Sequence, residues 1–127
     1  MPRADFRFVR FNERFSDDNP RVTRTFTVEG TPLGSGYLLI QAHDVESDKH
    51  SISINGQALP RFDIPKGSGG KWQLWMDLIP AGFLTPGENR ITITRVKKND
   101  NFSIASIAVH WREDDSLATR MPSASDT

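Results

Sequence analysis

The feature that most restricts this chain is a two-residue alternation of apolar and polar side chains that recurs along its length. No segment keeps the roughly 3.6-residue period of an amphipathic helix for three turns. Alternation at period two sends successive side chains to opposite faces of an extended strand, so it predicts half-buried β-strands and excludes a helical bundle. The 9 glycines and 8 prolines are spread along the sequence and punctuate these stretches. At 127 residues the chain is the size of one domain.

The first predicted strand is 5–11. Four phenylalanines, Phe6, Phe8, Phe11 and Phe15, interleave with Arg3, Arg7, Arg10 and Arg14. This pattern predicts an apolar inner face and a cationic outer face. Residues 22–28 put Val22, Phe26 and Val28 on one face. Arg24 falls on that same face, which predicts a bend or an arginine reaching out at a sheet edge. Residues 36–43 send Leu38, Ile40 and Ala42 inward and Tyr37, Leu39, Gln41 and His43 outward. In 51–54, Ile52 and Ile54 face inward. Asn55-Gly56 then predicts a tight hairpin to a short strand near Ala58 and Leu59, because a type I′ turn needs positive φ at both central positions.

A short strand at 62–64 and a flexible glycine-rich loop at 66–70 come next. In 72–78, Trp72, Leu74, Met76 and Leu78 share one face and are read as core, with Trp75 and Asp77 outward and Pro80 ending the strand. Thr85-Pro86-Gly87-Glu88-Asn89 is a turn. Residues 90–96 form a strand with Ile91 and Ile93 inward. The last strand, 102–112, has two phases: Phe102 and Ile104 agree, and Ile107, Val109 and Trp111 agree one residue out of step, so a bulge near Ala105-Ser106 is predicted. About eight to nine short strands and no helix predict an all-β antiparallel β-sandwich of the jelly-roll kind. Residues 1–112 are read as this single domain, and 113–127, whose only large apolar residues are Leu117 and Met121, as a polar tail or tether.

Composition removes several function classes. Lys+Arg and Asp+Glu are both 16, a net charge of zero, which argues against a protein that tracks nucleic-acid phosphates. There is no cysteine, so disulfides, thiol nucleophiles and Cys-ligated zinc are excluded. The N-terminus lacks the apolar segment of a secretory signal, and the longest apolar run, Tyr37-Leu38-Leu39-Ile40, is far short of a membrane span. The chain therefore reads as soluble and cytoplasmic.

The order of motifs carries a resemblance. Ser51-Ile-Ser-Ile-Asn-Gly56 is followed by an alternating strand ending Asp77-Leu78-Ile79-Pro80, then Leu84-Thr-Pro-Gly-Glu-Asn-Arg-Ile-Thr-Ile93 and a closing Ile107-Ala-Val-His-Trp-Arg112. Over 36–112 the chain resembles the galactose-binding-domain-like jelly rolls found in many carbohydrate-binding modules. The matching residues are turn and core positions, so the resemblance implies the fold and names no ligand. Some relatives are braced by structural calcium, and nothing in the sequence fixes ligands for it here; no other cofactor is implied.

Sugar recognition on such a fold needs an aromatic platform with amides, carboxylates or arginines beside it. Trp72 and Trp111 are read as core. Trp75 and Tyr37 are the candidate platforms, and Gln41, His43 and Asp77 their outward neighbours; for Trp75, packing under the N-terminal segment or a partner chain is the competing reading. The densest polar cluster runs from His43 through Asp44, Glu46 and Asp48 to His50. It suggests a divalent cation, but its spacing fits no standard motif, and a solvated rim loop is the simpler reading. Asn99 and Asn101 lie in a second polar loop that could share that rim. The loop at 66–70 lacks the Gly-Lys-Ser/Thr ending of a phosphate cradle. No Gly-x-Ser-x-Gly elbow is present.

The reading is a non-catalytic, lectin-like binding module for a glycan or similar polar ligand. The alternative is an assembly subunit whose Arg/Phe strand meets an acidic partner or a second copy, and a glycoside hydrolase is the minority case.

Overall fold

Isoleucine, valine and phenylalanine at every second position build two facing layers. The computed structural model describes residues 2–46, 50–60, 71–96, 98 and 100–114. These form β1 (Pro2–Phe15), β2 (Arg21–Val28), β3 (Thr31–His43), β4 (Ser51–Ile54), β5 (Gln57–Ala58), β6 (Trp72–Ile79), β7 (Gly87–Thr94) and β8 (Phe102–Asp114). One sheet has the order β1-β8-β3-β6 and the other β2-β7-β4-β5, and every pairing is antiparallel. Val9, Phe15, Leu38, Ile40, Ile107 and Val109 from the first sheet meet Val22, Phe26, Ile52, Ile54, Ile91 and Ile93 from the second. Each such side chain, fully buried, contributes on the order of 1.5–3 kcal/mol. The predicted antiparallel β-sandwich is therefore the observed fold. The strand predicted at 62–64 and the loop at 66–70 lie outside the described residues, as does 115–127. Glu113 and Asp114, read as the start of a tail, belong to β8.

Several local expectations hold. Asn55 and Gly56 have φ of 53° and 82° and close a two-residue hairpin between Ile54 and Gln57. The bulge falls at Ala105: Ser106 pairs with Gln41, but the next pair is Ile104 with Ala42. It reconciles the two phases of β8 and turns both Ile104 and Ile107 into the core. Against β1 the register shifts at the same place, between Arg10 and Glu13, around Asn12 at φ 49°.

Arg24 does reach out at an edge, since β2 is the first strand of its sheet. Its guanidinium donates to the Phe11 and Arg10 carbonyls at 3.0 and 3.3 Å and to Glu13 Oε2 at 2.8 Å, and it lies 5.5 Å from the centre of the Phe11 ring. One side chain thus ties the second sheet to the bulged part of β1. An Arg24→Met variant keeps the aliphatic stem and loses the donors. It is expected to cost about 1–2 kcal/mol, read as a melting temperature several degrees lower.

Two strands take the opposite face from the one predicted. In β1, Val9 pairs with Ile107 and Phe15 with Phe102, all buried, so Phe11 also points inward and Phe6 and Phe8 point out. In β6, Trp75 pairs with Ile40 and Trp72 with His43. Ile40 is fully buried, so Trp75 and Asp77 lie on the core side, and Trp72, Leu74, Met76 and Leu78 lie on the outer side. A one-residue choice of phase moves a whole strand's side chains. Here the paired central strands β8 and β3 make that choice.

Candidate functional site

The outer face of the β1-β8-β3-β6 sheet follows directly from the registers. Trp72, His43, Ser103 and Arg14 form one row across the four strands, and Leu74, Gln41, Ser106 and Arg10 form the next. Met76, Leu39, Ala108 and Phe8 follow, then Leu78, Tyr37, His110 and Phe6. The face therefore has a polar end, with one tryptophan, and an apolar end.

At the polar end, the Trp72 ring is 55% exposed and tilted 41° to His43, with centroids 4.9 Å apart. Beside it is a depression of about 320 Å³ lined by Asn12, Glu13, Arg14, Trp72, Ser103 and Ala105. The register shift between β1 and β8 falls among these residues. Arg14 is held in place by donating to Ser103 Oγ at 3.2 Å and Asp44 Oδ2 at 3.3 Å. Glu13 is fixed by Arg24 and by Asn19 Nδ2 at 3.1 Å. Ser106 Oγ donates to Gln41 Oε1 at 3.5 Å. An exposed indole face surrounded by an imidazole, an amide, a hydroxyl and a guanidinium can stack on an apolar ring face and hydrogen-bond groups around its rim.

The residues singled out from the sequence separate into groups. Tyr37, Gln41 and His43 share the outer face with Trp72. Trp75, 42% exposed, and Asp77 are on the other face of β6. Asp77 Oδ1 accepts the Leu78 N–H, and its Oδ2 is buried with no partner among the described residues. Asp44 is paired with Arg14. Asn101 is exposed just before β8. Asp48 and Asn99 lie outside the described residues.

His50 is fully buried. Its Nδ1 accepts the Val96 N–H at 3.1 Å, so Nε2 carries the proton and donates to Asp100 Oδ2 at 2.7 Å, while its ring packs 4.4 Å from Phe102. Asp100 also takes the Glu46 N–H on both oxygens, at 3.0 and 3.1 Å. The two polar loops meet here, and His50 and Asp100 are spent on holding them together. Among the described residues no three His, Asp or Glu side chains gather to hold a metal ion. No helix among them is long and apolar enough to cross a membrane.

Sequence reasoning missed Trp72, Arg14 and Ser103. One signal pointed to them: Tyr37 and Leu39 already faced outward on β3, so apolar character on the outer face was no guide to which side of β6 was core.

The fold is similar to parts of larger solved proteins and to an isolated module. It is similar to dimeric latent PorU from Porphyromonas gingivalis, with a TM-score of 0.65 and 16% identity over 87% of this chain and 13% of that one. It is similar to a serine protease of Aeromonas sobria, with a TM-score of 0.66 and 7% identity over 90% of this chain and 27% of that one. It is similar to a family 35 carbohydrate binding module from Clostridium thermocellum, with a TM-score of 0.53 and 15% identity over 86% of this chain and 97% of that one. The chain thus spans a minor part of the first two proteins and nearly all of the third. These likenesses establish a β-sandwich of the carbohydrate-binding-module type, the fold that the sequence motifs resembled. Comparison with curated protein sequences finds no match. The profile of one domain family, described as "Family of unknown function (DUF7383)", matches residues 9–113, and the chain belongs to that family.

Proposed function

We propose that this chain is a non-catalytic carbohydrate-binding module whose ligand lies at the polar end of the outer face, with Trp72 as the platform. The observation that carries this reading is the exposed Trp72 ring at the edge of a depression lined by Arg14, Glu13 and Ser103. A volume of about 320 Å³ is at the small end of the roughly 300–1,000 Å³ usual for ligand sites. That size suits one or two sugar rings with the remaining chain running into solvent. His43 and Gln41, in the rows that contain Trp72 and Leu74, supply further hydrogen-bonding groups to ring hydroxyls. The similarity to a carbohydrate binding module supports the class of ligand through the fold alone.

The test is a thermal-shift screen against mono- and oligosaccharides. A sugar at a hundredfold excess over its dissociation constant stabilises the native state by about 2.7 kcal/mol. For a domain of this size the expected result is a rise of several degrees with at least one sugar. A panel that leaves the melting temperature unmoved at millimolar sugar contradicts the reading.

A further inference from the structure

The apolar end of the same face calls for a different occupant. Phe8 is 60% exposed, and Phe6, Met76 and Leu78 are more than half exposed, with Leu74, 68% exposed, in the row that borders them. Tyr37, His110 and Phe6 form a stacked ladder across three strands, with ring centroids 4.7 and 5.5 Å apart and interplanar angles of 5° and 19°. Because these rings stack on one another, their faces are largely taken up within the sheet. Aliphatic Met76, Leu39 and Leu78 complete the two rows. Such a surface offers few groups to read sugar hydroxyls and much carbon to bury, and a contiguous apolar patch of this kind marks an interaction site.

Its size and charge narrow the occupant. Two rows across four strands measure roughly 20 Å by 15 Å, a flat area of about 300 Å². One side of a standard protein–protein interface buries about 800 Å², so this patch alone is too small to hold a second globular copy. Arg10 lies one row beyond the patch at one end and Arg112 one row beyond it at the other. Both are exposed and neither has a side-chain partner among the described residues. They are roughly 20 Å apart along the strands. Among the described residues, the carboxylates on or bordering this face are Asp44, held by Arg14, Glu13, held by Arg24, Asp5, beside Arg3 and Arg7, and Asp114 beyond Arg112. The patch is apolar in the middle and cationic at both ends, and a second copy would bring more cations than free carboxylates.

We propose that this end of the sheet docks a short protein segment that presents large apolar side chains flanked by Asp or Glu. The contact is separate from the Trp72 site, so the module holds two kinds of partner on one face.

The experiment selects a displayed library of random linear peptides on the immobilised full chain, then measures the selected peptides by fluorescence anisotropy. The proposal expects peptides with two or more large apolar residues bordered by carboxylates, bound more weakly as salt rises. A Phe8→Ser/Leu78→Ser chain is expected to lose them. An Arg10→Glu/Arg112→Glu chain is expected to bind at least about tenfold more weakly, a change of about 1.4 kcal/mol. All four positions face solvent, and an unchanged melting temperature confirms that each variant is folded. Trp72→Ala is expected to leave peptide binding intact, which separates this result from the fate of the carbohydrate reading. Selected peptides free of acidic residues, binding that survives Phe8→Ser/Leu78→Ser, a dimer in light scattering that these substitutions dissociate, or partition onto anionic lipid vesicles through Phe8 each overturn it.

Discussion

An Asn89→Leu variant is expected to lose about 3 kcal/mol or more of folding stability, although the two side chains are similar in size. Asn89 is fully buried, and every polar atom of its side chain is used. Oδ1 accepts from the Thr85 N–H at 2.9 Å and from Asn55 Nδ2 at 2.8 Å, and Nδ2 donates to the Thr85 and Gly87 carbonyls at 2.8 and 3.0 Å. Asn55 in turn donates to the Phe83 carbonyl at 2.9 Å and accepts the Arg90 N–H at 2.9 Å. The pair stands in for backbone partners that the turn before β7, with Gly87 at φ 89°, cannot supply to itself. Leucine removes these four hydrogen bonds and a longer one from Thr85 Oγ1 at 3.4 Å and strands the groups that made them, and an unmade buried bond costs more than a made one contributes. Chemical denaturation should show the loss as a lower midpoint at unchanged slope, and heating as a fall of about 10 °C or more. A midpoint within the scatter of the parent chain would show that water reaches these groups and that the network is dispensable.

Trp72→Ala is expected to weaken sugar binding by at least about 30-fold, the effect of losing about 2 kcal/mol from an aromatic anchor. Trp75→Ala is the matched control. Both are large, partly exposed aromatics on one edge strand, three residues apart, and they differ in face. Trp72 borders the depression beside Arg14 and Ser103, and Trp75 lies opposite Ile40 on the core side. Trp72 leans on His43 and is more than half exposed, so its removal should leave the melting temperature within a few degrees. Calorimetric titration of both variants with one sugar reads the two effects separately. Equal losses in both would mean that the site does not belong to one face.

The strands, the hairpin and the bulge were legible because each has a local cause. Asn55-Gly56 needs positive φ wherever it sits, and the misfit between Ile104 and Ile107 can be resolved only by one extra residue. Asn89 was legible as a turn former but not as a buried hub, since its partner Asn55 is 34 positions away. The faces of β1 and β6 were not legible. Each has large apolar residues at both parities: Phe6 and Phe8 against Val9 and Phe11, and Leu74 and Met76 against Trp75. Alternation then says that a strand exists without saying which side is core. The answer came from register against β8 and β3, a long-range property. That reversal moved the platform candidate from Trp75 to Trp72 and exposed the apolar rows. His50 shows the same limit: a polar loop histidine in sequence is a buried tie in the fold because Asp100, 50 residues on, accepts a hydrogen bond from its Nε2–H.

The most direct measurement is a spectroscopic one. The chain has 3 tryptophans, so an isotope-labelled sample gives one indole N–H signal each for Trp72, Trp75 and Trp111. Trp111 is buried and donates to Glu113 Oε1 at 2.7 Å, which makes it an internal reference. On titration with a sugar that raises the melting temperature, the Trp72 signal is expected to move while those of Trp75 and Trp111 stay in place. Movement of Trp75 with a stationary Trp72 would contradict the account and return the site to the other face of β6.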